Sequence, residues 1–291
     1  MIYLKNPKER NIHFTSYKLE PGDNMILTDY HVHTKFSGDS DAKFDDIISS
    51  AVSLGLKEIC ITDHQDYDFY ADGVLFELNA DEYFNTLCEI SKQYASVLTI
   101  KKGIETGLEP VHAMKLHQLI TSYPFDFVIG SSHLINGYDP YYPAYFEGKT
   151  DEQAFTEYFE SIITNLEHCN DFDVYGHIDY VVRYCPNKNK NYSYEKFHGI
   201  LDTILAKLID MGKGIEINTS GYRSGLNAPN PCLEIVKRYR ELGGEIITIG
   251  SDAHSAKDIG YRFSDAENIL KACGFRYYTK FENRKPVFIK I

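Results

Sequence analysis

Short runs of apolar residues alternate along this chain with longer stretches in which apolar residues recur every three or four positions. The short runs are typical of buried β-strands, whereas the longer stretches are typical of amphipathic helices. Seven strands are predicted, and they end near residues 30, 62, 104, 130, 176, 217 and 250. Helices are predicted over residues 44–54, 80–96, 150–169, 194–211 and 231–242. This alternation predicts the α/β class, with a parallel sheet that closes, or nearly closes, into a barrel inside a layer of helices.

Side chains that can bind metals are concentrated at the ends of the predicted strands. Six of the eleven histidines and two acidic residues occupy such positions: His31, His33, His64, Glu105, His133, His177, Asp252 and His254. In a barrel of parallel strands the carboxyl ends meet at one mouth, where functional residues gather. We therefore expect these side chains to lie together.

Two of the strand ends carry pairs of candidate ligands. A single histidine at a strand end is more often a structural residue than a ligand, but alternate residues of a strand point to one face and can bind one ion together. His31-Val32-His33 has this spacing, and Ser251-Asp252-Ala253-His254 repeats it. Mixed imidazole and carboxylate ligands favour Zn, Fe or Mn over Ca or Mg. A carboxylate that can bridge among many imidazoles indicates more than one ion, and such sites bind phosphoryl groups and activate water.

Length and composition limit the classes of protein to which the chain can belong. Its 291 residues are 43% hydrophobic and 25% charged, so we expect one domain over residues 25–291, with residues 1–24 as an extension without an assigned function. The six cysteines are dispersed without a C-x-x-C pair and no signal peptide opens the chain, which predicts reduced thiols in a cytoplasmic protein. No apolar run approaches the roughly 20 residues of a membrane span, so no membrane partner is expected.

The net charge of the chain bears on its partners. The formal charge is -12, and the chain has no basic block or tail. This balance argues against a surface that follows nucleic-acid phosphates and favours a small substrate. Because an acidic protein repels anions at long range, an anion site has to be built locally from metal ions, arginines or backbone amides.

The motifs at the strand ends resemble those of the polymerase-and-histidinol-phosphatase (PHP) superfamily, from about residue 25 to the last residue. The matching segments are Asp29-Tyr30-His31-Val32-His33, Thr62-Asp63-His64, Glu105, Ser132-His133, Gly176-His177-Ile178-Asp179 and Ser251-Asp252-Ala253-His254. This resemblance implies a distorted (β/α)7 barrel of the PHP type around two or three divalent transition-metal ions.

The resemblance also implies a set of ligands for each ion. One ion would be held by His31, His33, Glu105 and Asp252, a second by the bridging Glu105 with His133 and His177, and a third by Asp39, His64 and His254. Asp39 stands six residues after His33, where many members of the superfamily have a histidine. The third ion could therefore bind more weakly or differ in identity.

Within the superfamily, segments 103–109, 176–183 and 216–223 look most like the histidinol-phosphatase branch. That branch implies hydrolysis of a small phosphomonoester, L-histidinol phosphate, to L-histidinol and phosphate in histidine biosynthesis, by attack of a metal-bridging hydroxide on phosphorus. Glu105 and Asp252 would act in catalysis through the metals. Three divalent ions, three ligand carboxylates and a hydroxide leave about +2, which matches a phosphate dianion. Arg183 and Arg223 follow strand ends and are expected to bind the other phosphate oxygens and to stabilise their charge.

Other functions stay open beside this interpretation. A PHP protein could act on another small phosphate or on nucleic-acid ends, although this chain has neither a polymerase portion nor a basic groove. It could also be a metal-binding protein without catalysis, against which the complete ligand set argues. No oligomeric state is predicted.

Segment 136–145 is rich in Tyr, Asp and Pro and directly follows the motif of His133. It predicts either a loop beside the metals that contacts the organic end of a substrate, or an ordinary packed surface loop.

Overall fold

The computed structural model describes residues 26–291, and the extension predicted over residues 1–24 lies outside the described residues. The strands are β1 (Thr28–Val32), β2 (Glu58–Ile61), β3 (His64–Gln65), β4 (Tyr70–Ala71), β5 (Val74–Leu75), β6 (Thr99–Gly107), β7 (Phe127–Ser131), β8 (Val174–Tyr175), β9 (Gly214–Asn218), β10 (Ile247–Gly250), β11 (Tyr277–Glu282) and β12 (Lys285–Lys290). The α-helices are α1 (Phe44–Ser53), α2 (Ala80–Gln93), α3 (Ala113–Ser122), α4 (Asp151–His168), α5 (Val181–Tyr184), α6 (Tyr194–Asp210), α7 (Leu233–Glu241) and α8 (Phe263–Ala272). The single domain predicted over residues 25–291 stays a prediction.

Seven parallel strands form the wall of the barrel, in the order β1-β2-β6-β7-β8-β9-β10. The short β3 pairs with the carboxyl half of β6, where His64 stands beside Glu105. The wall closes between β10 and β1, because His33 N donates to the Ala253 carbonyl over 2.9 Å and Ala253 N donates to the His31 carbonyl over 3.3 Å. The predicted (β/α)7 barrel is confirmed.

A helix follows each strand of the wall along the chain, and the apolar faces of helices and strands share one large core. Ile59 and Ile61 of β2 belong to this core, as do Ile47 and Ile48 of α1. The five helices predicted from apolar periodicity are confirmed, with ends that differ by no more than three residues. The sequence analysis does not predict α3, α5 and α8, which have ten, four and ten residues.

All six cysteines are free thiols, and Cys60 is buried inside the barrel. Within residues 26–291, no helix combines the length and the apolar character that crossing a bilayer requires.

A second, smaller apolar cluster fills the interior of the barrel: Tyr30, Cys60, Phe127, Ile129, Val174 and Phe281. The register of β1 on β2 shifts between Asp29 and Val32. As a result, the consecutive residues Tyr30 and His31 both reach interior groups, since the Tyr30 ring lies 5.1 Å from the ring of Phe127 and His31 Nε2 lies 3.0 Å from Glu105 Oε2. Tyr30 packs in the apolar interior, and His31 begins the polar mouth.

An antiparallel hairpin of β11 and β12 covers the amino end of the barrel, and the sequence analysis does not predict it. Phe281 enters the interior cluster, and its N–H donates to the Tyr30 hydroxyl over 2.9 Å. The turn residues Asn283 and Arg284 have φ of 49° and 65°, which is typical of tight two-residue hairpin turns. β12 contains the short run Val287-Phe288-Ile289 of β-branched and aromatic residues, so the sequence does carry a signal for this hairpin.

Gly214 and Gly199 provide a matched pair of substitutions that tests the packing of the wall. A Cβ on Gly214, in β9, would lie 2.6 Å from the Ile246 carbonyl oxygen, whereas a Cβ on Gly199, in α6, would meet no atom within 4 Å. We expect Gly214→Ala to lower the free energy of unfolding by about 1–3 kcal/mol through overpacking. Gly199→Ala should raise it by about 0.5–1 kcal/mol, because alanine is favoured over glycine inside a helix. Urea denaturation measures both, and changes of the same sign would contradict this account of the wall.

Candidate metal centre at the mouth of the barrel

Glu105 lies at the centre of the candidate site, and its side chain on β6 is fully buried. Its two carboxylate oxygens face five imidazoles that come from widely separated parts of the chain. The distances from Oε2 are 3.0 Å to His31 Nε2, 3.1 Å to His64 Nδ1 and 3.5 Å to His33 Nε2. The distances from Oε1 are 2.9 Å to His177 Nε2 and 3.3 Å to His133 Nε2. A single carboxylate therefore joins the histidines of four motifs.

Asp252 completes a group of four with His31, His33 and Glu105. Its Oδ1 lies 3.4 Å from His33 Nε2 and 3.7 Å from His31 Nε2. In a tetrahedral shell with metal–ligand bonds of about 2.0–2.1 Å, neighbouring ligand atoms stand about 3.3 Å apart. His31, His33 and Glu105 therefore lie close enough together to share one ion, and the distances from Asp252 to the two imidazoles are near this value.

Two further groups adjoin the first. His133 and His177 share Glu105 Oε1, and at the outer edge His254 Nε2 and His64 Nε2 lie 3.1 Å and 3.7 Å from Asp39 Oδ2. The Asp39 side chain is 42% exposed, so the outer group is the one most open to solvent. The structure brings together all nine side chains for which the sequence predicts metal binding: His31, His33, Asp39, His64, Glu105, His133, His177, Asp252 and His254. Their role as ligands stays a prediction.

Hydrogen bonds from outside the cluster fix the tautomers of three of these histidines. His31 Nδ1 lies 2.6 Å from Glu216 Oε1, His133 Nδ1 lies 2.7 Å from Asp66 Oδ1, and His33 Nδ1 lies 2.8 Å from the Ser37 hydroxyl, which itself donates to Asp63. Since these oxygens accept, each Nδ1 carries a proton, and the neutral form of each ring has its lone pair on Nε2, which faces the cluster. Outer partners of this kind are typical of histidines that bind metals.

Three ring nitrogens of the candidate ligands are buried without a hydrogen-bond partner in the described structure: His177 Nδ1, His33 Nε2 and His64 Nδ1. A buried polar atom without a partner is costly, so the two that face Glu105 Oε2, His33 Nε2 and His64 Nδ1, fit a site in which an ion accepts their lone pairs. Burial, together with the imidazoles of His254 and His64, lowers the pKa of His33 well below its ordinary value. His33 is therefore neutral, as a metal ligand has to be.

The two central carboxylates are ionised. Burial raises the pKa of Glu105, but the imidazoles of His31, His133 and His64 outweigh this effect and hold the pKa well below its ordinary value. Burial likewise opposes ionisation of Asp252, and His31, His33 and Arg183 lower its pKa well below the ordinary range. Both groups thus carry negative charge at neutral pH, which favours the binding of cations.

Asp66, Ser37 and Glu216 are site residues to which the sequence analysis assigns no role. Glu216 is an acid inside an apolar strand, in Ile215-Glu216-Ile217, and this unusual position is a signal that could have been used. Its carboxylate also accepts from His177 N over 3.1 Å. A Cβ on Gly107 would collide with the carboxylate of Asp66, and a Cβ on Gly250 would collide with that of Glu216. Glycine is therefore required at both positions if these carboxylates are to reach His133 and His31.

The two arginines predicted to bind phosphate differ in their surroundings. Arg183 is buried at the cavity wall, where Nη1 donates to Asp252 Oδ2 over 2.9 Å and Nη2 donates to Asn218 Oδ1 over 2.8 Å. Arg223 Nη2 instead donates to the carbonyls of Ser251 and Asp252, and this side chain is not among those that line the cavity. The phosphate-binding role of each arginine stays a prediction.

Two residues of the cluster have a left-handed backbone conformation, His177 with a φ of 22° and Asp252 with a φ of 53°. This conformation is uncommon outside glycine and costs about 1–3 kcal/mol, so it persists where surrounding contacts enforce it. The carboxylate of Asp252 is held by Arg183 and by the Ser220 hydroxyl at 3.0 Å. Such strain is typical of functional sites.

A cavity of about 350 Å³ opens onto the cluster. Six of the candidate ligands and Arg183 line its inner wall, on the side of the barrel. Its outer wall is aromatic and acidic, with Phe69, Asp72 and Phe76 from the region of β4 and β5 and Asp139, Tyr141 and Tyr142 from segment 136–145. Of the two interpretations of that segment, the structure therefore favours the loop beside the candidate metal centre.

Known proteins resemble this chain over most of its length. The profile of the PHP domain family matches residues 29–220. The histidinol-phosphatase of Lactococcus lactis subsp. lactis is 33% identical over 262 residues, which make up 90% of this chain and 96% of that protein. The probable histidinol-phosphatase of Thermotoga maritima is 30% identical over 91% of this chain and 100% of that protein. This chain belongs to the PHP domain family.

A solved structure extends the similarity to three dimensions. It is the crystal structure of histidinol phosphate phosphatase from Lactococcus lactis subsp. lactis, complexed with Zn, L-histidinol and phosphate. It matches this chain with a TM-score of 0.83 and 32% sequence identity, and covers 90% of this chain and 98% of that one.

Glu216→Gln tests whether the outer carboxylates prepare the histidines for metal binding. Glutamine keeps the size of the side chain but removes the charge that orients His31, so we expect metal affinity to fall about 10- to 100-fold. Competition with a chelator measures the affinity, and Glu160→Gln, an exposed position on α4, is the control. An affinity equal to that of the unchanged protein would show that Glu216 has no part in the centre.

Proposed function

We propose that this protein is a metal-dependent phosphomonoesterase that hydrolyses L-histidinol phosphate to L-histidinol and phosphate, a step of histidine biosynthesis. The observation that carries the proposal is the similarity to the Lactococcus lactis structure complexed with Zn, L-histidinol and phosphate, at 32% identity over 90% of this chain. The cluster of imidazoles and carboxylates around Glu105 supports it, because it offers the ligands that such an enzyme needs.

The three groups of side chains around Glu105 would hold two or three divalent transition-metal ions, Zn, Fe or Mn. Three observations support this assignment: ligand atoms at the separations of a shared shell, buried ring nitrogens without partners, and carboxylates that are already ionised. Bound there, the ions would supply an activated water as nucleophile and positive charge for the phosphoryl oxygens.

The residues of the chain orient the reacting groups. Arg183, Ser220 and Asn218 all donate to Asp252 Oδ2, which leaves Oδ1 directed at His31 and His33. Each Nη of Arg183 carries two hydrogens, of which one is used in these contacts, so the other can donate to a phosphate oxygen at the cavity wall. Arg223 would first have to leave the carbonyls of Ser251 and Asp252. Arg183 is therefore the better placed of the two.

A panel of phosphomonoesters tests the proposed substrate. With metal content measured on the same sample, kcat/KM for L-histidinol phosphate should exceed that for other small monoesters, nucleoside monophosphates and a 5′-phosphorylated oligonucleotide. A preference for one of these other substrates would overturn the proposed substrate and leave a phosphoesterase of the PHP family. Failure to hydrolyse any of them at full metal occupancy would overturn the enzyme itself.

His133→Ala and His177→Ala test the part of the cluster that shares Glu105 Oε1. We expect phosphate release at saturating metal to fall by more than about 100-fold, because loss of an outer partner of a metal ligand already costs about 10- to 100-fold. His117→Ala, on the exposed side of α3, is the matched control and should keep its activity. Turnover equal to that of the unchanged protein in both cluster variants would refute the assignment.

A further inference from the structure

The outer wall of the cavity carries a carboxylate without a cationic partner, that of Asp139. Its Oδ1 accepts from the Tyr141 N–H over 2.8 Å and from the Tyr180 hydroxyl over 3.2 Å. Among residues 26–291, neither a hydrogen bond to Oδ2 nor an ion pair of Asp139 is found. One oxygen is thus fixed in place, and the other is left for a group that enters the cavity.

A single tyrosine connects Asp139 with the candidate metal centre. The ring of Tyr180 lies 5.8 Å from the ring of His133 and 5.0 Å from that of His177, while its hydroxyl donates to Asp139. The carboxylate therefore stands about one tyrosine side chain away from these two histidines. If a phosphate is bound at the centre, the first carbons of its organic part come close to Asp139.

The surroundings of Asp139 suit an organic cation. Tyr180, Tyr184, Tyr141 and Tyr142 form a continuous row, with successive ring centroids 5.0 Å, 5.2 Å and 5.0 Å apart. Aromatic faces attract cations and also offer apolar contact to a flat ring. Burial raises the pKa of Asp139 to about 6, so the ionised carboxylate is stabilised by a cation beside it.

We propose that Asp139 determines substrate specificity by binding an ammonium group close to the phosphate ester. This inference rests on the proposed function, because L-histidinol phosphate carries an ammonium group on the carbon next to the ester CH2. With the ammonium group at Asp139 and the phosphate at the metal centre, the imidazole of the substrate extends along the row of tyrosines. Phosphomonoesters without the amine lack this contact and bind less well.

Asp139→Asn tests the inference, since asparagine keeps an oxygen acceptor for Tyr141 and Tyr180 but removes the charge. In the metal-loaded enzyme we expect kcat/KM for L-histidinol phosphate to fall roughly 10- to 100-fold, mainly through KM, as for the loss of a hydrogen bond to a charged group. The analogue 3-(imidazol-4-yl)propyl phosphate, which lacks the amine, should be hydrolysed equally by variant and unchanged protein. Asp210→Asn, at the exposed end of α6, controls for net charge, and metal content and melting temperature are measured on each protein.

The possible results separate the inference from the proposed function. Equal losses on both substrates would mean that Asp139 only supports its loop, and no loss on either would mean that it does not bind the amine; each overturns the inference. If the unchanged protein shows no preference for L-histidinol phosphate, the proposed function fails instead. Asp139 is then judged on 2-aminoethyl phosphate and propyl phosphate, which differ in the ammonium group: a loss confined to the first supports its role, and any other result refutes it.

Discussion

The site depends on the burial of one carboxylate, Glu105, among five imidazoles. A carboxylate without solvent is costly unless positive or polar groups surround it, and here the ring nitrogens lie between 2.9 Å and 3.5 Å from its oxygens. His31 and His133 in turn need acceptors for their Nδ1 protons, which Glu216 and Asp66 supply. The result is a cluster of imidazoles and carboxylates that is arranged before any cation binds.

Closure of the barrel gives this cluster its geometry. Asp29, next to the first pair of histidines, accepts from Ser251 N over 2.9 Å and from Gly260 N over 3.0 Å, so its carboxylate ties β1 to the end of β10. The backbone of His31, His33 and Ala253 completes the same seam. The bonds that close the wall are therefore made by the residues that carry the first and last motifs. The group that contains His31, His33 and Asp252 can form only when the barrel is closed.

The inner and outer walls of the cavity have different roles in the proposed enzyme. Imidazoles, carboxylates and Arg183 at the inner wall offer what hydrolysis of a phosphate ester requires, and all of them except Asp39 and Arg183 stand on the strands or in the segments directly after them. Tyrosines and Asp139 at the outer wall belong to segment 136–145 and to the region of α5. Loops of this kind can vary while the centre stays unchanged, so relatives with the same metal groups can select different organic parts.

The sequence by itself determined the seven strands, five of the helices and eight of the nine candidate ligands, because periodicity and the position of a residue at a strand end are local properties; the ninth, Asp39, came from resemblance. Even the hairpin of β11 and β12 has a local signal. The substrate came from resemblance rather than from spacing. Only the tertiary structure decided which of the 42 acidic residues hold His31 and His133, why Gly107 and Gly250 are needed beside them, and that Arg183, rather than Arg223, lines the cavity. A hydrogen bond requires two atoms within about 3 Å of each other, and for partners far apart along the chain that distance is set by the closed barrel, which no local pattern encodes.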